Sequence, residues 1–76
     1  MNKDERAKVI AALIGLADDA IEACKIDTLT KDGYGVMMRI LEKMPEKSRE
    51  LFLDLCVLRG YSKETAHTLK VIYGWE

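Results

Sequence analysis

The stretch Pro45–Gly74, PEKSRELFLDLCVLRGYSKETAHTLKVIYG, carries two helices between clear stop signals. Pro45 suits the first position of a helix, Glu46 its positive first turn, Arg59 its last turn and Gly60 a left-handed terminator. Ser62 then caps a further helix with Glu64 in its first turn, Lys70 near its end and Gly74 closing it. The two helices are expected over about 45–59 and 62–73, with Trp75-Glu76 as a short tail. Between them the connection is short enough to return the second helix onto the first.

Upstream the same grammar continues. Asn2 with Glu5 three positions later forms a capping box, and Asp4 adds acid to the first turn, so a helix is expected over about 3–25. The segment Ile26–Gly35, IDTLTKDGYG, reads as a connection. Within it Thr30 or Asp32 caps a helix that covers about 31–44. No alternation of period two, repeat or low-complexity run is present, so the fold class is all-α: a compact bundle of about four helices in one domain spanning 1–76.

Helical projection shows how much each helix has to bury. In the first, Val9, Ile10, Leu13, Ile14, Leu16, Ala17, Ala20, Ile21 and Cys24 cover an arc of roughly 200°. In the third, Leu51, Phe52, Leu53, Leu55, Cys56 and Leu58 spread over roughly 220°, which places helices one and three at the centre, with Leu51, Phe52 and Leu55 in the core. The second and fourth are one-sided, with stripes of Val36, Met37, Ile40, Leu41 and Met44, and of Ala66, Leu69, Ile72 and Tyr73. A chain of 76 residues offers little core of its own. The excess apolar surface therefore calls for a second chain.

The expected seam is on the first helix, from Val9, Ala12, Leu13, Leu16, Ala20 and Ala23, where small side chains let another copy approach and a two-fold axis would let the stripe cover itself. The competing arrangement has helices two and four cover both flanks inside one chain. Further candidate partner-binding residues are Tyr34 and Met38 at the edge of the second helix and, separately, the terminal aromatics Tyr73 and Trp75. Those two aromatics either complete the core or anchor a partner.

Chemistry is harder to place. His67, the one histidine, falls on the polar side of its helix with Lys63, Glu64 and Lys70. Cys24 and Cys56 sit in apolar patterns and lack any CxxC or HxxxH pairing, so they read as reduced core residues, with no metal and no cofactor expected. Asp18, Asp19 and Glu22 read as a solvated acidic face, and Gly33-Tyr34-Gly35 as a flexible loop rather than a phosphate cradle. No catalytic residue is nominated, and an enzyme is not expected.

Charge is nearly balanced, with 12 basic against 13 acidic side chains and a net charge of −1, and the balance holds on both sides of Pro45. Such a chain is not prepared for nucleic acid or an anionic membrane. The apolar run Val9–Ala17 follows Lys3, Arg6 and Lys8 as in a signal peptide, but Asp4, Glu5 and Asp18-Asp19 break that pattern. A complete, cytoplasmic protein is the expectation.

Residues 44–69, MPEKSRELFLDLCVLRGYSKETAHTL, resemble the first part of the helix-turn-helix in sigma-factor region 4. The resemblance covers about a third of the chain and implies a shared helical hairpin. The expected function is thus a small non-catalytic regulator, an inhibitor or adaptor, that binds another protein and acts as a helical homodimer. The alternative is a DNA-binding transcriptional regulator with a degenerate helix-turn-helix.

Overall fold

The computed structural model describes residues 2–75, and among them it holds four α-helices and no strand. They are α1 (Lys3–Ile26), α2 (Tyr34–Glu42), α3 (Glu46–Leu58) and α4 (Lys63–Tyr73). An all-α bundle is what the periodicity requires. Glu76 lies outside the described residues, so only the Trp75 part of the expected tail is placed.

Local signals set most helix ends. The Asn2 side chain accepts from the Glu5 N–H at 2.8 Å, and Ser62 Oγ accepts from the Thr65 N–H at 3.2 Å. Gly60 and Gly74 both take positive φ and end α3 and α4. Pro45 stands one position before its helix rather than in it, and its carbonyl accepts from the Ser48 N–H at 2.9 Å.

The start of α2 departs from expectation. Residues 31–33 form a separate 3₁₀ turn in which Asp32 and Gly33 both have positive φ, so α2 begins at Tyr34. Thr30 does serve its N-terminus, because its hydroxyl accepts from the Gly35 N–H at 3.1 Å while donating to Asp27 Oδ2 at 2.8 Å. Asp32 does not cap. Its carboxylate instead accepts from the Thr65 hydroxyl, and its carbonyl accepts from the Tyr61 hydroxyl at 3.1 Å. Nor is Gly33 part of a flexible loop, since a Cβ there would lie 2.5 Å from the Cys24 backbone. The turn is packed against α1 with no room for a side chain.

The core is built from Ala17, Ala20, Ile21 and Cys24 of α1, Met37 and Leu41 of α2, Phe52, Leu53 and Cys56 of α3, Tyr61, and Ala66 and Leu69 of α4. All the buried residues of α1 belong to its C-terminal half. At about 1.5 Å per residue, its 24 residues make a rod of roughly 36 Å. The molecule itself extends 41 × 26 × 20 Å, so α1 runs nearly its full length and overhangs the shorter helices.

Assignments to the apolar stripes of α3 and α4 change for the same geometric reason, and Val9, Ile10 and Leu16 of the α1 arc are exposed as well. Leu51 is 68% exposed and Leu58 82% exposed, whereas the projection puts them among the core residues of α3; Leu55 is half-buried. Phe52, Leu53 and Cys56 fill the inward arc, and Leu51, Leu55 and Leu58 stand on another side of the helix, flanked by the N-terminal half of α1 across an open groove that leaves Leu55 half-buried and the other two exposed. Ile72 of α4 is likewise 54% exposed, because Ala66 and Leu69 already occupy its inward stripe.

Candidate functional site

Ile10 and Leu13 of α1 and Leu51, Leu55 and Leu58 of α3 line an open groove of about 200 Å³, with Asp54 as its one charged lining residue among the described residues. Spacing explains both walls. Ile10 and Leu13 continue the stripe that carries Ala17, Ile21 and Cys24 into the core, so the inward face of α1 remains apolar beyond Ala17, the first of its buried residues. Leu51, Leu55 and Leu58 recur at i, i+4 and i+7, one ridge of α3. Asp54 is held by Lys70 of α4, with Nζ 2.7 Å from Oδ1, which leaves the groove without a strong charge of one sign.

The residues expected at a self-association seam divide along α1. Val9, Ala12 and Leu16 are exposed and Leu13 is half-buried, all in the overhanging half. Ala23 is half-buried, and Ala20, only 4% exposed, belongs to the intrachain core. Leu16 and Ala20 also border a larger recess of about 350 Å³ completed by Asp19, Ile40, Lys43, Met44 and Phe52. The α3 wall of the groove is the part that sequence reasoning assigned to the core. Its signal was the 220° width of the apolar arc on α3, more than a helix with neighbours on one side can bury.

The further partner-binding candidates are brought together in part. The Tyr73 hydroxyl donates to the Met38 carbonyl at 3.3 Å, and the Trp75 ring stacks on Tyr73 with centroids 4.8 Å apart and planes 15° from parallel. Met38, Tyr73 and Trp75 are half-buried against the core, so Tyr73 ties the end of α4 to α2 and the tail packs on Tyr73. Tyr34, one turn before Met38, is 39% exposed.

Titratable groups in the interior are tuned away from reactivity. Burial pushes the Cys56 thiol up to about 12, and it raises that of Cys24 as well, with the nearby Asp27 charge adding to the effect. Burial also raises the Tyr61 phenol. At neutral pH both cysteines are therefore thiols, the form that is neither nucleophile nor metal ligand. Among the described residues no group of three or more His, Cys, Asp or Glu is placed to hold a metal ion. His67 lines a recess of about 420 Å³ between α3 and α4 with Asp54, Val57, Leu58, Lys63, Ala66 and Lys70.

No helix among the described residues is long and apolar enough to cross a membrane. Comparison with known proteins returns no matching family model, no matching curated protein and no matching solved structure, so the site has to be read from its own residues.

Proposed function

We propose that this chain is a non-catalytic regulator, an inhibitor or adaptor located in the cytoplasm, that works by binding another protein and does so as a helical homodimer. The observation that carries the reading is the apolar surface on the overhanging half of α1 and the outer ridge of α3, large for a chain of this size. Surface of that kind is costly in water unless something covers it. The buried, protonated thiols add support by offering no activated nucleophile. The Tyr34, Met38, Tyr73 and Trp75 patch is the partner-binding surface in this reading, because half-exposed aromatic rings on a rigid helical base suit anchor residues.

The test is affinity capture from the source cell at moderate salt with the unmodified chain and with Tyr34→Ala and Trp75→Ala. Retention of one stoichiometric protein by the unmodified chain, reduced by either substitution, is the expected result. Salt-sensitive retention of duplex DNA with no protein would overturn the reading in favour of a DNA-binding regulator. Against that alternative stands the charge of α4, where Lys63 neighbours Glu64 and Lys70 is engaged with Asp54.

A further inference from the structure

We infer that a second copy of this chain occupies the groove between α1 and α3, so that the seam of the dimer is formed by Ile10, Leu13, Leu51, Leu55 and Leu58. This rests on the self-association proposed above and relocates it, from a margin of α1 alone to a surface shared by two helices.

Area comes first. With Ile10 50% exposed, Leu51 68% and Leu58 82%, and Leu13 and Leu55 half-buried, the five side chains expose on the order of 500 Å² of apolar surface per chain. Two such faces brought together remove at most about 1,000 Å² from these five residues, the lower bound for a specific interface, before their rims are counted.

Charge selects the occupant. A two-fold axis sets the patch against its own copy and brings residues at its centre next to their own mates, so a self-pairing face has to avoid like charge at its centre, whereas a face for nucleic acid or an acidic peptide is basic. Among the described residues the groove has Asp54 as its one charged lining residue, paired with Lys70 at 2.7 Å. Helix geometry agrees with this choice. The ridge at 51, 55 and 58 has the 4-then-3 spacing of helix-to-helix seams, and a second copy brings an identical ridge. The dimer also supplies what α1 lacks. Residues 3–16 contain no buried side chain, and a free helix of that length is marginal in water. Pairing α1 and α3 with their two-fold mates covers it on its apolar side.

Sedimentation velocity from 10 to about 100 μM tests the seam. The unmodified chain is expected at twice its 8.6 kDa. Leu51→Glu and Leu58→Glu are expected to weaken association at least about a hundredfold, because each buries an unpaired charge in the seam. Both positions are exposed within one chain, so these variants should keep the helical circular dichroism and cooperative melting of the parent; Leu51→Met should restore the dimer. Ala12→Glu, on another side of α1, should leave association within about threefold. A dimer that survives both leucine variants but is lost in Ala12→Glu overturns the groove while leaving self-association intact. An unmodified chain that stays at 8.6 kDa throughout overturns self-association and the groove seam together.

Discussion

The Thr65 hydroxyl donates a 2.6 Å hydrogen bond to Asp32 Oδ2, joining the N-terminal turn of α4 to a residue 33 positions earlier. Asp32 is held there with φ +53°, a conformation that an L-residue adopts at a cost and that Asp tolerates better than most. The Tyr61 hydroxyl bonds the carbonyl of the same residue, so one strained turn receives two clasps from the α3–α4 connection and α4.

Breaking this clasp should destabilise the fold without disturbing its helices. Thr65 is buried, and Thr65→Val keeps its shape while deleting a hydrogen bond to a charged acceptor, an expected loss of about 1.5–3 kcal/mol in urea unfolding. Combined with Asp32→Ala, the two losses should be non-additive by more than about 0.5 kcal/mol. Strict additivity would mean that the contact contributes nothing to stability.

Gly33 makes a second demand on the same turn. A Cβ at this position would sit 2.5 Å from both Cα and O of Cys24, backbone atoms that cannot swing aside, and φ is +63°. Gly33→Ala is therefore expected to cost more than about 3 kcal/mol, or to prevent folding altogether. Gly15 is the control. It lies in the exposed half of α1, where a methyl group would meet nothing within 4 Å, so Gly15→Ala should stabilise by about 0.5–1 kcal/mol through helix propensity. Equal effects of the two substitutions in thermal melts would contradict this account.

These residues also mark the boundary of what a sequence discloses. Asn2, Ser62, Gly60 and Gly74 are legible because capping is settled within a few residues along the chain. Asp32 and Gly33 are not, because what fixes them is Cys24 and Thr65, remote in sequence; a Lys-Asp-Gly string alone looks like any loop. The groove was half legible. Periodicity reveals that α1 and α3 carry more apolar arc than one neighbour covers, but it is the same for Ile10 and Leu13 as for Ala17 and Ile21. Only the lengths and placement of α2, α3 and α4 show where along α1 the cover stops.

The ion pair between Asp18 and Arg59 should leave a signature in acid. Arg59 Nε and Nη2 donate to the two carboxylate oxygens at 3.0 Å each, and this bonding holds the Asp18 carboxyl below its usual 3.8. A carboxyl whose folded value is depressed contributes stability that is fully present above the unfolded value and is lost as pH falls through the folded one. The stability difference between the parent and Asp18→Asn should therefore be constant above about pH 5 and shrink as the pH drops below 3.8. It should shrink with added salt too, because both side chains are 46% exposed. In an NMR titration, Arg59→Ala should return the Asp18 midpoint towards 3.8; a midpoint that does not move would remove the pair as the cause.

Two leucines two positions apart on α3 separate the core from the seam. Leu53 is fully buried among Phe52, Cys56 and their neighbours, so Leu53→Ala opens a cavity and is expected to cost about 2–5 kcal/mol. That cost belongs to one chain and should not change with protein concentration. Leu51 is 68% exposed, so within a single chain Leu51→Ala gives up little, below about 1 kcal/mol. If the groove pairs with a second copy, however, the same substitution also removes apolar area from an association equilibrium, and the contribution of that equilibrium to stability grows with concentration. Urea unfolding at about 1 μM and at about 100 μM should then show a Leu51→Ala deficit that widens while the Leu53→Ala deficit stays fixed. A concentration-independent deficit for both residues would place Leu51 outside any seam, and a large Leu51→Ala loss at the lower concentration would mean that α3 turns a different face to the core.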